Sequence, residues 1–275
     1  MEKTNNLKFE SPSFYTRLKG MLGVDFYRLF HTPLFYIFLA IAAIIPAMIL
    51  GMTSMENAQG IVEPLYTNTW QVIAAENSLY VVNNISEYAN MNMVFIFGGI
   101  MVSIFIGHDY KSGYVKQLFT THPKKQDYMM SKSIIGAFSM ACMCITYLLG
   151  TVLSGALVGA SFAVNFGSLI CAILGKIIMS LGWASLYVFL NIIFRKYFAI
   201  SIASSFFFGT GILIVGAAAI LGNSSILNIF LYGSSVNACL SSNIISLVTC
   251  LVVSVSWSVI YNMIGTTILN KSDVY

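Results

Sequence analysis

The stretch "IISLVTCLVVSVSWSVIYNMIGTTIL", residues 244 to 269, contains no charged side chain. A helix that crosses the hydrocarbon core of a bilayer needs about 20 predominantly apolar residues, and this run is long enough. The composition of the chain agrees, because 57% of its 275 residues are hydrophobic, 9% are charged and the mean hydropathy is +0.81. Soluble domains carry about 25% charged residues. The sequence therefore predicts an integral membrane protein.

Five further apolar runs precede this stretch, near residues 34–54, 91–107, 133–160, 168–194 and 198–221. Backbone polar groups in hydrocarbon must be satisfied within the segment, and the runs lack the alternation of barrel strands. The expected fold class is therefore all-α, with six transmembrane helices. No polar or low-complexity linker divides the chain, so residues 1–275 are expected to form a single transmembrane domain.

The basic residues indicate the orientation of the chain. With one exception, Lys and Arg occur before the first run, between the second and third, between the fourth and fifth, and after the sixth. The segments 55–90, 161–167 and 222–243 contain neither. Because cytoplasmic loops are enriched in Lys and Arg, both termini are predicted to be cytoplasmic.

Lys176 is the exception, because it lies within the fourth run. A lysine inside a span can contact an anionic group of a substrate. Alternatively, Lys176 and Arg195 bracket the hydrocarbon core, and the Lys176 side chain extends to the outer interface. The sequence favours the second interpretation and leaves the first open.

Residues 13–32 have the pattern of an amphipathic helix that lies flat at the membrane interface. Apolar side chains recur at helical spacing at Phe14, Leu18, Met21, Leu22, Phe26, Leu29 and Phe30. We expect Arg17, Lys19, Asp25 and Arg28 to lie elsewhere on the helical wheel. Periodicity alone does not decide whether this helix is a lever for cytoplasmic machinery or a passive anchor.

The sequence offers little support for chemistry within the membrane. The histidines His31, His108 and His122 all lie at or beyond the expected cytoplasmic edge, and the spans contain no Asp. The cysteines have no CxxC spacing, and no phosphate-binding glycine loop is present. The chain is therefore not expected to be an enzyme or to bind a metal or cofactor, and energy for transport would come from another polypeptide.

The loop between the second and third spans, residues 109–132, concentrates the charge of this apolar chain. Val115, Leu118 and Phe119 form a short apolar strip at three- to four-residue spacing. Such a strip is typical of a short cytoplasmic helix that enters a groove on a partner protein. The alternative is a solvated linker whose lysines contact anionic lipid.

A family resemblance favours the partner interpretation. The loop resembles the corresponding segment of ABC-2 type permeases, especially those of bacitracin and lantibiotic resistance, as does the six-helix layout. Tyr114 stands where that family often has Thr, and Lys124 and Lys125 stand where Arg is frequent. The residues that carry the resemblance are Asp109, Gly113, Leu118, Pro123, Lys124, Lys125, Tyr128 and Lys132.

The resemblance implies a multi-pass permease subunit in the bacterial cytoplasmic membrane. Its partners would be cytoplasmic ATPase subunits that bind ATP and Mg, a second permease subunit, identical or homologous, and membrane lipid; no nucleic acid is expected. A stand-alone channel or carrier and a membrane scaffold or sensor are the alternatives. The candidate ATPase-coupling residues are Asp109, Gly113, Val115, Lys116, Leu118, Phe119, Pro123, Lys124, Lys125 and Lys132.

The expected outer loop 55–90 is acidic, with Glu56, Glu63, Glu76 and Glu87 and no basic residue. Such a surface attracts a cationic antimicrobial peptide or amphipathic compound. The four glutamates, with Lys176, are therefore candidate substrate contacts. The alternative, which the sequence favours, is that acidic residues remain in outer loops by default when Lys and Arg are excluded.

The predicted orientation can be tested by cysteine labelling of intact cells. In a variant without the 5 native cysteines, we expect a cysteine at Glu76 to react with an impermeant thiol reagent, because loop 55–90 lies outside. A cysteine at Gln117 should react only after the cells are opened. Labelling of the Gln117 variant in intact cells would reverse the orientation.

Overall fold

The computed structural model describes residues 12–56, 93–120, 124–158, 166–213, 216, 220, 228–240 and 244–271. Over these ranges the chain contains helices and no strand, which confirms the all-α prediction for the described part. The helices are α1 (Phe14–His31), α2 (Pro33–Glu56), α3 (Met93–Lys111), α4 (Tyr114–Thr120), α5 (Lys125–Val158), α6 (Phe166–Ile193), α7 (Phe198–Gly209), α8 (Leu231–Leu240) and α9 (Ile244–Lys271).

Four of these helices, α3, α5, α6 and α9, are long and apolar enough to cross a membrane. Helices α1 and α2 pass the same test only as a pair, which bends by 65°. The described residues therefore provide four or five candidate spans rather than the six expected. Within the expected span near 198–221, α7 covers Phe198–Gly209, and part of the remainder lies outside the described residues.

The bend between α1 and α2 has a local cause. Pro33 begins α2, and a residue before proline avoids the helical region for steric reasons. Thr32 accordingly adopts φ −97° and ψ 122°, and its N–H donates to the carbonyl of Leu29 at 3.2 Å. At the other end, the Ser13 hydroxyl caps α1 by accepting from the N–H of Thr16 at 3.3 Å. Both bounds of α1 are thus encoded locally, within the predicted 13–32.

Helices α5 and α6 lie at the centre of the molecule, with α1 and α2 against α5 and α9 along α6. Buried aromatic rings fill the space between α3 and α6, where Trp183 stacks on Phe95 at 5.6 Å and on Tyr187 at 5.7 Å. The indole N–H of Trp183 donates to the Ser235 hydroxyl of α8 at 2.8 Å. A buried Trp is stable in such a core because its polar atom has a partner.

Buried hydroxyl and amide groups join α3, α6 and α7. The amide of Asn191 donates to the Ser103 hydroxyl at 2.9 Å, and Ser103 lies 2.7 Å from the Ser205 hydroxyl. Ser201 donates to the Asn191 carbonyl oxygen. Hydrogen bonds of this kind hold helices together where apolar surroundings give no hydrophobic driving force.

Gly150 allows α5 to approach the backbone of α2. A Cβ atom added at Gly150 would overlap the carbonyl oxygen of Ala43. A Cβ added at Gly20, by contrast, would meet nothing within 4 Å. The two glycines therefore differ in whether the fold requires them.

This difference predicts opposite effects of alanine. We expect Gly150→Ala to lower the thermal midpoint of the detergent-purified protein, because overpacking costs about 1–3 kcal/mol. Gly20→Ala should leave it unchanged or raise it, because Ala favours a helix over Gly by about 1 kcal/mol. Equal midpoints for the two variants would contradict the close contact between α2 and α5.

Candidate functional site: a buried charge cluster

Four charged side chains meet where α1, α3 and α5 come together, and we call Asp25, Arg28, Asp109 and Lys132 the charge cluster. Asp25 and Arg28 lie on α1, Asp109 lies in the last turn of α3, and Lys132 lies near the start of α5. The contacts are long-range, since Lys132 and Asp25 are 107 positions apart.

Each carboxylate of the cluster faces both cations. The Lys132 ammonium lies 2.6 Å from Asp25 Oδ1 and 2.7 Å from Asp109 Oδ2. Arg28 donates to Asp109 Oδ1, and its Nη1 lies 3.8 Å from Asp25 Oδ1. The second oxygen of Asp25 accepts from the Ser131 hydroxyl at 2.6 Å. The four formal charges cancel within this network.

The cluster is buried, which makes its pairing energetically decisive. Asp25 and Asp109 have 0% of their side chains exposed and Lys132 has 1%, whereas Arg28 retains 24%. Moving one charge out of water costs several kcal/mol, and the pair offsets this cost only when geometry and hydrogen bonds are good. Removing one member would leave another charge buried without a partner.

Aromatic rings surround the two cations. The guanidinium carbon of Arg28 lies 4.4 Å from the centre of the Tyr114 ring, and Lys132 Nζ lies 4.8 Å from the Phe105 ring and 5.4 Å from the Tyr128 ring. A cation over an aromatic face is stabilised by about 0.5–2 kcal/mol. Because Tyr114 is the first residue of α4, this contact attaches the short helix to the charge cluster.

Burial and the neighbouring charges determine the protonation states of Arg28 and Tyr114. Burial lowers the pKa of Arg28, but the hydrogen bond and charge of Asp109 and the charge of Asp25 outweigh it, so the pKa lies above its ordinary value. Burial raises the pKa of Tyr114, and the nearby Asp25 carboxylate adds to the shift. At neutral pH Arg28 is therefore a cation and Tyr114 a neutral phenol.

Two further contacts hold the start of α5. Arg17 Nε lies 2.8 Å from Asp127 Oδ2, a second ion pair between α1 and α5. Lys125 Nζ donates to the carbonyl oxygen of Leu269 in the last turn of α9 at 2.5 Å. The beginning of α5 is therefore tied to α1 and α9.

The short helix α4 turns its apolar side inward. Gly113 precedes it at φ 75°, a left-handed conformation that favours glycine. Val115 is 1% exposed, Leu118 and Phe119 pack against the core, and the Phe119 ring lies 5.7 Å from Tyr128. The strip expected to enter a partner's groove thus contacts this chain. The residues that α4 exposes are Lys116, Gln117 and Thr120.

The other predicted site residues are not brought together. Lys124 is exposed, and Pro123 lies outside the described residues. Lys176 is half-buried, with its Nζ 5.5 Å from the Tyr147 ring. Glu56 is the last residue of α2, whereas Glu63, Glu76 and Glu87 lie outside the described residues.

The sequence points to two members of the charge cluster and places Asp25 on the wrong side of α1. The family resemblance picked out Asp109 and Lys132, but Asp25 and Arg28 were expected away from the apolar face of α1. Asp25 is in fact on the buried face, between Met21 and Leu29. The sequence does contain a signal for this position. Asp25 lies four residues from both Met21 and Leu29, and residues four apart share a helix face.

The arrangement suits mechanical attachment better than bond-making chemistry. Each cluster carboxylate is neutralised by cations on two elements, and hydrogen bonds occupy its oxygen atoms. Among the described residues, no group of three or more His, Cys, Asp or Glu side chains could hold a metal ion. Neither the protein-family models nor the curated proteins compared with the chain match it.

Removing the central cation should destabilise the whole site. We expect Lys132→Met to cost about 3–5 kcal/mol, because it leaves Asp25 and Asp109 buried with less pairing. Lys196→Met, at an exposed position, should change stability by no more than about 0.5 kcal/mol. Thermal unfolding of both variants in detergent measures the difference, and equal midpoints would show that the cluster contributes nothing.

Proposed function

We propose that this chain is the membrane permease subunit of an ATP-binding-cassette transporter, which moves its substrate with energy from a separate ATPase that binds ATP and Mg. The observation that carries the proposal is the attachment of α4 to the charge cluster through Tyr114. A short helix on the connection between two span-length helices, α3 and α5, is suited to pass force from a cytoplasmic partner to the membrane domain.

The charge cluster would distribute that force. Tyr114 lies over Arg28 of α1 at 4.4 Å and over Lys132 of α5 at 5.7 Å, and both cations bind Asp109 of α3. A displacement of α4 therefore acts on three helices through charges that are costly to separate when buried. On this proposal α1 is a lever, the first of the two roles that its sequence allows.

The geometry of α4 changes the expected contact with the ATPase. Val115, Leu118 and Phe119 would hold α4 in place, and the polar face of Lys116, Gln117 and Thr120 would meet the partner. Contacts of exposed charges act mainly on the association rate and weaken with salt. Lys111 and Lys124, both exposed on either side of α4, would add to this face.

The proposal also includes the class of substrate and a second permease subunit. The substrate would be an antimicrobial peptide or another amphipathic compound, drawn by the acidic segment 55–90. A second permease subunit, identical or homologous, would complete the route across the bacterial cytoplasmic membrane. The charge of segment 55–90 supports the substrate class, and the resemblance of loop 109–132 to ABC-2 type permeases supports the second subunit and the membrane.

Purification from the native host tests the proposal. We expect the tagged full chain to copurify with an ATPase of cassette size in a fixed ratio, and substrate to stimulate ATP hydrolysis by the complex. Transport by this chain alone in liposomes, without ATP or a second protein, would contradict the proposal and favour a stand-alone channel or carrier.

Substitutions in α4 test its coupling role. Phe119→Ala should uncouple transport from ATP hydrolysis or release the ATPase, because it removes the ring contact with Tyr128 and the packing that holds α4 in place. Lys116→Gln should reduce ATPase binding mildly, and more at low salt than at high salt. Full transport and ATPase retention in the Phe119→Ala variant would leave α4 as a linker.

A further inference from the structure

The outward side of α1 presents aromatic and apolar side chains. Tyr15 has 72% of its surface exposed and Tyr27 has 64%, and Val24 and Phe30 are also exposed. The opposite side of the same helix is buried at Met21, Asp25 and Leu29. Exposed tyrosines on an amphipathic helix are typical of the boundary between lipid headgroups and acyl chains.

A shallow depression of about 580 Å³, open to the outside and referred to below as the groove, lies along this outward side. Its floor is open because a Cβ atom added at Gly20 or Gly23 would meet nothing within 4 Å. The two glycines therefore leave space on the outside of the helix and are not needed for packing inside it. The residues that line the groove are Thr16, Lys19, Gly20, Gly23, Val24 and Tyr27.

The groove has one polar end and one apolar end. Thr16 supplies a hydroxyl and Lys19 an ammonium group at the N-terminal end, whereas Val24 and Tyr27 lie about one to two turns further along. A ligand that matches this order carries a negative group at one end and a hydrocarbon portion at the other. That combination is the chemistry of an anionic amphiphile.

No exposed aspartate in the described part of the chain opposes such a ligand. Asp25, Asp109 and Asp127 are each 0% exposed, so the charge cluster and the Arg17 pair withdraw the acidic groups from the surface of α1. Lys19 is the charged residue of the groove lining. The outward side of α1 is therefore complementary to negative charge.

We infer that this groove is a binding site for an anionic phospholipid, with the phosphate at Lys19 and Thr16 and the start of an acyl chain over Gly20 and Gly23. Lys116, the exposed lysine of α4, does not form such a site, because its exposed neighbours Gln117 and Thr120 are polar. The site lies apart from the face proposed for the ATPase, so either assignment can fail without the other.

Native mass spectrometry of the full chain tests this site. The protein is released from micelles that contain equal amounts of phosphatidylglycerol and phosphatidylcholine, and bound lipid is counted. We expect wild-type protein to retain phosphatidylglycerol preferentially. Gly20→Leu, which fills the floor without an internal clash, should abolish that preference. Lys19→Gln should weaken it about fivefold, the effect of one basic residue near an anionic surface.

Lys196→Gln is the matched control, because it removes an exposed lysine outside the groove and should leave the preference unchanged. If the Gly20→Leu and Lys19→Gln variants both retain phosphatidylglycerol as strongly as wild-type protein, the proposed site is wrong. If all three variants lose the phosphatidylglycerol preference equally, the preference comes from general surface charge, and the proposed site is again wrong. If Gly20→Leu instead converts a dimer to a monomer without changing bound lipid, the groove is an interface between copies and the lipid site is wrong.

Discussion

Asp109 shares its two carboxylate oxygens between Arg28 and Lys132, and the arrangement of the α1, α3 and α5 junction depends on that sharing. A carboxylate with 0% exposure is tolerated only with compensating charge, because its hydration has been lost. The two cations come from different helices, Arg28 from α1 and Lys132 from α5. Moving either helix away from α3 would therefore leave the buried Asp109 carboxylate without one of its compensating charges. Side-chain chemistry thereby fixes the relative position of elements far apart in sequence.

Burial of the aspartates also determines what the surface presents. Because Asp25, Asp109 and Asp127 are all internal, the exposed charge near α1 and α4 is positive and comes mainly from lysines. The lysines differ in their surroundings: Lys19 shares the groove lining with Val24 and Tyr27, whereas Lys116 shares the exposed face of α4 with Gln117 and Thr120. The first setting suits a lipid boundary and the second suits water or a polar protein surface.

Away from the charge cluster, small and hydroxyl-bearing residues determine the packing. Gly150 brings α5 against the backbone of α2, and Ser103 connects Asn191 of α6 with Ser205 of α7. Hydrophobic burial gives little preference for one helix neighbour over another when lipid is equally apolar, so close contact and hydrogen bonds supply the specificity. Ionic contacts near Asp109 and neutral contacts among the long apolar helices thus both specify which helices pack against each other.

The sequence by itself determined the helices, because an apolar run and a cap are local properties. The runs near 91–107 and 244–269 correspond to Met93–Lys111 and Ile244–Lys271, and Ser13 and Pro33 bound α1 where the amphipathic pattern predicted it. Asp109 and Lys132 were also within reach, through the resemblance of their loop to a family. Only the tertiary structure decided that Asp25 completes their site, since the partners are 107 positions apart and the spacing on α1 does not name them. It likewise decided that Val115 and Phe119 face this chain. A helical apolar strip has the same period whether its own core or a partner covers it, so only the surrounding helices distinguish the two.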